Sequence, residues 1–419
     1  MELNEPNAKY LVQAGLQQTE VGPIPLDWLV EPLAKVAEIR SGIAKNVNAV
    51  IADAIEVPYL RVANVQDGYL DLQEISTIRI NREDLRRYSV LPFDVLMNEG
   101  GDIDKLGRGA LWRGQIQPCV HQNHVFVVRC KPALAPQFLS AWSASPPARR
   151  YFLFAGKQTT NLASINKTSL GQLPVAMPRL REEQERIAEA LADTDALIES
   201  LEQLLAKKCQ IKQGAMQELL TGQRRLPGFG GDWVSYAMGQ LARITMGRTP
   251  SRIQSKYWGH GYKWLSISDL KGRTVADSKE EITAAAASDM EVIPAGTLLM
   301  SFKLTLGRLC FAGTDLFTNE AICAFRDLKA NPELVYYALQ RVDFSLAGKQ
   351  AVKGHTLNKV SLAAVSVLLP ADEKEQEAIA NVLSDMDTEI TALEARLSKA
   401  RQLKQGMAQA LLTGRIRLV

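Results

Sequence analysis

Long apolar runs are missing from this 419-residue chain. The longest, such as residues 360–369, falls well short of the roughly 18 residues that a membrane span needs, and no charged-then-apolar leader opens the chain. A cytoplasmic location with no membrane partner is expected. Cysteine is also scarce. Cys119, Cys130, Cys209, Cys310 and Cys323 are odd in number and lack paired spacings, which suits a reducing compartment and excludes a disulfide framework. Neither sign of charge dominates. A net charge of +3 permits a nucleic-acid partner if the positive groups gather on one face, and does not demand one.

Enzyme signatures are missing too. There is no Gly-x-x-x-x-Gly-Lys-Ser/Thr phosphate loop and no Asn-Pro-Pro-aromatic tetrapeptide of the kind that holds a flipped adenine. Nuclease-like Asp-x-Lys triplets begin at Asp269, Asp277 and Asp372, but none has an upstream Pro-Asp partner, so chance accounts for them. Cys119, His121, His124 and Cys130 are zinc-competent. Strand alternation puts Cys119 and His121 on one face and His124 and Cys130 on the other, which argues against a single metal site. What remains, 46% hydrophobic and 23% charged, is ordinary globular material long enough for two or three domains.

The dominant feature is a repeat. Pro-x-x-x-x-Glu-Gln occurs at 178–184 and 370–376, Lys-Gln-Gly at 212–214 and 404–406, and Leu-Leu-Thr-Gly at 219–222 and 411–414, always 192 residues apart. Between these markers Ile187, Leu191, Thr194, Ile198, Leu201 and Leu205 step by fours and threes, as do Ile379, Leu383, Met386, Ile390, Leu393 and Leu397. Both are coiled-coil seams. Lys212 and Lys404 then fall on the seam while Ile211 and Leu403 sit one residue earlier, so a local register shift is expected there. About 39 residues of helix make a rod about 58 Å long. Each helix leaves one globular half and must reach the other, so the economical pairing is antiparallel.

The intervening segments read as short strands and loops, with runs at 57–65, 70–80, 95–97 and 125–128. A polar lead of about 20 residues precedes a Gly-Pro-Ile-Pro turn at 22–25, and a helix at 137–154 is broken by Pro146 and Pro147. The order is replayed in the second half: Trp233 answers Trp28, 264–270 answers 59–65, Leu-Gly-Arg at 306–308 answers 106–108, and 318–319 answers 122–123. The halves share a plan but diverge in sequence, whereas the helices are nearly copied. A constant spacer between two different end-pieces resembles a ruler carrying two readers, and DNA, with its repeat of about 34 Å, is the natural object. The blander account is a pair of domains that merely dimerise through a rod.

The residues then become specific. Gly-Arg-Thr-Pro-Ser at 247–251, Trp-Leu-Ser-Ile-Ser-Asp-Leu at 264–270, 298–308 and 318–325 in the second half, with 59–65, 94–101 and 121–126 in the first, join the helix motifs in a pattern that resembles the specificity (S) subunits of type I restriction-modification systems. The resemblance covers nearly everything after residue 17. It implies a mixed α/β (α+β) fold, with two target-recognition domains at opposite ends of an antiparallel two-helix coiled coil, related by a pseudo-two-fold. The expected division is a lead at 1–21, recognition domains at 22–177 and 227–369, and spacer helices at 178–226 and 370–419. It further implies a non-catalytic role: each domain reads one half of a bipartite double-stranded DNA target, and the helices set the gap and dock two modification (methyltransferase) subunits. S-adenosylmethionine, ATP and Mg would sit on those modification subunits and on restriction subunits, and no cofactor on this chain. The other classes of account are a stand-alone restriction or methyl-transfer enzyme and a bivalent protein scaffold.

Candidate DNA contacts are of two kinds. Loop cations Arg40, Lys45, Lys105, Arg108, Lys157, Lys256, Lys303, Arg308 and Lys349 suit phosphates, which give affinity but no sequence information. Gln66, Asn98, Asn123, Arg252, Ser268, Asn319 and Gln350 carry groups that discriminate base edges, and Gln122, Asn123 and His124 together suggest a DNA-facing edge. Each is equally explicable as a solvated loop residue. Arg79, Arg82, Arg86 and Arg87, interrupted by Glu83 and Asp84, read as an exposed helix face. Trp258, near Gly259 and Trp264, is expected to pack under its own loop.

Overall fold

The computed structural model describes residues 15–44, 53–101, 106–158, 163–303, 305–344, 349–351 and 354–418. By its contacts the chain divides into two units, 1–202 with 396–419, and 203–395.

The first unit is built on a four-stranded antiparallel sheet in the order Ala37–Ser41, Val125–Cys130, Val95–Asn98, Gly109–Leu111. Its inner strands are continuous apolar runs because both faces are covered. Val95, Met97, Phe126 and Val128 pack on one side with Phe138, Leu139 and Trp142, while Leu96, Val125 and Val127 pack on the other with Leu60, Trp112 and Cys119. Pro146 and Pro147 split the expected helix into Pro136–Ser143 and Pro146–Ala155, the second capped by Ser145. A second sheet sets Val120–His121 parallel to Ile55–Leu60, which pairs antiparallel with Ser76–Ile80. Trp28–Pro32 pairs with Pro174–Pro178 and leads into the first long helix.

The second unit repeats this plan. Arg243–Met246, Ile322–Arg326, Leu298–Ser301 and Leu309–Ala312 follow the same order, extended by Thr274–Val275, which runs parallel to Leu309–Ala312. Phe317–Thr318 lies parallel to Trp258–Leu265, which pairs with Glu280–Ile282, and Trp233–Ala237 pairs with Ser366–Pro370.

Three local expectations are corrected. Residues 22–25 form a strand, Gly22–Pro25, paired with Leu16–Thr19, so order begins inside the supposed lead. The 57–65 and 70–80 runs shorten to Ile55–Leu60 and Ser76–Ile80, because the Asn64 side-chain amide donates to the carbonyls of Asp71 and Glu74 and holds the chain in a turn. Arg79 lies on a strand. Only Arg82, Arg86 and Arg87 share the exposed helix Arg82–Tyr88, which Asn81 caps.

The long helices, Arg181–Leu219 and Glu373–Leu411, have 39 residues each. Each unit holds the start of one and the end of the other, and the pairing inside each is antiparallel. In the first unit Thr194 meets Met407, Asp195 meets Lys404, and Glu202 meets Arg401. In the second, Lys208 meets Glu389, Lys212 meets Asp387, and Leu219 packs among Ile379 and Leu383. The register shift expected at the lysines is absent. The four-three phase runs on through Lys212 and Lys404, leaving Ile211 47% and Leu403 57% exposed. The Lys212 side chain is only 19% exposed, because its stem lies in the seam while its ammonium reaches Asp387.

Candidate nucleic-acid interface

In each unit a glycine sets up a polar loop. Gly42 passes so close to the carbonyls of His121 and Gln122 that no Cβ would fit, and Gly247 does the same against Thr318 and Asn319. The crossings are tied by Ile43 N–H to His121 O (2.8 Å) and Arg248 N–H to Thr318 O (2.8 Å). The matching loops, 122–124 and 319–320, therefore stand at one edge of the small sheet in each unit.

In the first unit Gln122 and Asn123 are half-buried and His124 is exposed. The His124 Nδ1 lies 2.6 Å from the Glu99 carboxylate, and the Asn123 amide 3.2 Å from His124 Nε2. Glu99 N–H bonds His124 O, and Asn98 N–H bonds Arg108 O, so Arg108 belongs to the same edge. Next to it the strand Gly100–Gly101 pairs with Ala163–Ser164 and this with Lys157–Gln158, which brings exposed Lys157 alongside. Asn98 itself is 4% exposed and donates to the Val65 carbonyl at 2.9 Å, so it holds the 62–65 turn. Arg40 is drawn to Glu38 on its own strand (2.8 Å), and the Gln66 amide closes a turn on Ala63. Lys45 and Lys105 lie outside the described residues.

In the second unit the corresponding elements gather Lys303, exposed Arg308 and half-buried Asn319. Phe302 N–H bonds Ala321 O and Ser301 N–H bonds Arg308 O. The Asn319 side-chain oxygen accepts from Ala321 N–H. Thr249 hydrogen-bonds the Glu320 carboxylate, which that bond holds below the usual carboxylate range. Lys349 and Gln350 lie on the strand Lys349–Ala351, paired with Gly354–Thr356. Ser268 is exposed on a 3-10 turn, and Lys256 is exposed beside Tyr257.

Arg252 is engaged within its own unit. Its guanidinium binds both oxygens of Glu280, one at 2.8 Å, and covers the Trp258 ring at 3.8 Å. It braces a loop. Trp258 packs edge-on against Trp264, at 5.0 Å and 90°, as expected. The zinc-competent side chains do not converge. Cys119 and Cys130 belong to clusters on opposite sides of the main sheet, and His121 is buried with Nδ1 2.6 Å from the Val125 carbonyl. Burial pushes the Cys119 and Cys130 thiols up to about 12 and the His121 ring down to about 4. Among the described residues no three His, Cys, Asp or Glu side chains cluster as metal ligands, and no helix is long and apolar enough to cross a membrane.

The sequence pattern hid one set of residues in plain view. The Glu-Gln of the repeated motif is buried in both copies, as Glu183 and Gln184 and as Glu375 and Gln376. Arg417 grips Glu183 and Asp27 and lies over Trp28; Arg225 grips Glu375 and lies over Trp233. Gln184 accepts from Ala135 N–H and donates to Pro178 O, while Gln376 accepts from Asn331 N–H and donates to Pro370 O. Each helix start is thus fastened to its own globular sheet by the same two side chains, and the 192-residue offset of that dipeptide was the signal for it.

Residues 230–401 match the model of the type I restriction modification DNA specificity domain. Over those residues the chain is similar to type I specificity subunits. It is similar to the protein named the MjaX type I restriction enzyme specificity subunit of Methanocaldococcus jannaschii, at 24% identity over 98% of each chain. It also resembles the EcoKI specificity subunit of Escherichia coli, at 21% identity over 45% of this chain and 41% of that one. In fold it is similar to a crystal structure of a type I S subunit from M. genitalium, with TM-score 0.60 and 12% identity over 92% of this chain and 96% of that one. A structure from a study of type I complex assembly gives TM-score 0.56 and 15% identity over 94% and 99%.

Proposed function

We propose that the chain is the DNA-recognition subunit of a type I restriction-modification complex and brings no catalysis of its own. The observation that carries this is the contrast within the repeat. The Lys–Asp and Arg–Glu pairs of the long helices recur 192 residues apart, whereas the polar edges they support differ: Gln122, Asn123 and His124 in one unit, Asn319 and Glu320 in the other. Equal supports under unequal edges fit two half-site readers on one spacer. Residues 22–177 and 227–369 are the recognition domains, and 178–226 and 370–419 the spacer. Arg108, Gln122, Asn123, His124 and Lys157 face one half-site. Lys256, Ser268, Lys303, Arg308 and Asn319 face the other, in the domain whose strand carries Lys349 and Gln350. The outer faces of the helices dock two methyltransferase subunits, which carry S-adenosylmethionine, and restriction subunits join them with ATP and Mg.

The test is an exchange. Replacing residues 22–175 by the matching segment of another specificity subunit, and mapping methylated adenines in cells that carry the modification subunit, should change one half of the target and leave the other half and the gap as they were. A change in both halves refutes the two-reader assignment.

A further inference from the structure

The loop that follows Gly247 presents Ile253 with 96% of its surface exposed. An isoleucine left in water forgoes the burial that favours apolar side chains inside, and the loop that carries it is firmly built. Trp264 Nε1 donates to the Arg248 carbonyl at 3.0 Å and Trp258 Nε1 to the Ser251 carbonyl at 3.2 Å. Gln254 N–H closes on Ser251 O and Tyr257 N–H on Gln254 O. Arg252, clamped between Glu280 and the Trp258 ring, stiffens the residue immediately before Ile253. So two tryptophans and an ion pair hold an apolar tip out into solvent.

The company it keeps is cationic. Arg248 and Lys256 flank the tip, both are exposed, and among the described residues neither has a carboxylate in salt-bridge contact. An apolar point between cations without a carboxylate partner among the described residues fits a duplex better than a protein surface: the cations meet phosphates, and the tip meets a base edge. B-DNA offers one apolar group at a base edge, the 5-methyl of thymine in the major groove.

We propose that Ile253 is a specificity-determining contact to a thymine methyl in the half-site read by residues 227–369. This rests on the DNA-recognition function above. It adds a residue that hydrogen-bonding criteria pass over and assigns the base group it meets.

The experiment uses the full complex with its modification subunits and a duplex carrying the methylation-mapped target. Each thymine is replaced in turn by deoxyuridine, which removes the methyl and keeps the base pair. Wild type should lose about three- to fivefold in affinity at one position of one half-site, the worth of roughly one buried methyl. Ile253→Ser should bind more weakly and respond equally to thymine and uridine there. Equal responses of wild type and variant at every position would overturn the assignment, as would a uniform loss on all duplexes or a half-site of G·C pairs alone. A rise in 2-aminopurine fluorescence at that half-site that needs Ile253 would also overturn it, since that marks a wedge between bases. If the complex shows no preference for its target over random duplex, the parent function fails instead.

Discussion

Arg417 stands two residues from the last, yet the structure makes it a main support of the first unit. Its guanidinium binds both oxygens of Glu183, whose side chain is 3% exposed, and both of Asp27, whose side chain is 61% exposed. Arg417→Ala leaves the Glu183 carboxylate buried without its cation, and breaking a buried pair in this way costs about 3–5 kcal/mol. The Asp27 contact, being solvated, adds only about 0.2–1 kcal/mol, and the ring of Trp28 at 5.9 Å about 0.5–1 kcal/mol. The loss should be concentrated in the unit that contains the pair, so a single melting curve is a poor reporter. Hydrogen exchange of Trp28–Pro32 and of the first turns of Arg181–Leu219 reads it directly, as an opening free energy lowered by at least about 3 kcal/mol. In Glu183→Gln the charge is already gone, so adding Arg417→Ala should cost far less than it does alone; that coupling separates the ion pair from lost packing. The Arg417 hydrogen bond also holds the Asp27 carboxyl below its usual value. Its contribution is therefore present above the ordinary carboxylate range and lost as pH falls through the lowered value, and the variant should show less of that acid loss. Protection within about 1 kcal/mol of wild type in Arg417→Ala would refute this account.

Three further outcomes are expected. Asp387 accepts from Lys212, Arg273 and Tyr337, whereas Asp195 at the repeat position meets Lys404, which is 40% exposed. Asp387→Ala should cost at least about 2 kcal/mol of local protection and Asp195→Ala under about 1; equal losses by hydrogen exchange would contradict the asymmetry. Gly247→Ala pushes a Cβ into the carbonyls of Thr318 and Asn319 and should cost about 1–3 kcal/mol by overpacking, so an unchanged melting temperature would be fatal to that geometry. His121, held neutral by burial at about 4 against an ordinary 6.5, binds fewer protons folded than unfolded between those values. Stability should then fall by up to about 3 kcal/mol as pH drops from 6.5 to 4. His121→Asn should flatten that slope in urea titrations, and parallel slopes would disprove it.

The repeat made much of the fold legible. Trp28 and Trp233, the two Pro-x-x-x-x-Glu-Gln motifs and the four-three apolar phase led to equivalent strands and helices. Long-range contacts were less readable. Asn98 and Arg252 have the side chains that read bases, but one is buried under a turn and the other is paired with Glu280, and only the tertiary structure shows these engagements. Ile253 was invisible for the opposite reason: an isoleucine in a sequence predicts burial, and its exposure depends on Trp258 and Trp264 bracing the loop from beneath.

The misjudged lysines carry the most general point. At a seam position a lysine is a worse core residue than the isoleucine next to it, so a shift of phase that buries Ile211 and Leu403 is the expected response on hydrophobicity alone. The phase holds because each lysine has an aspartate waiting on the facing helix at one register only: Lys212 with Asp387, Lys404 with Asp195. At Lys212, whose side chain is only 19% exposed, a slip of one residue would bury Ile211 but strand the ammonium against the seam, and the second cost is the larger; the more exposed Lys404 adds less. A polar residue in a coiled-coil core characteristically trades stability for a fixed register. If the helices set the gap as proposed, a register error would be a recognition error. The same exchange leaves Ile211 47% and Leu403 57% exposed, available to the subunits the helices are proposed to dock.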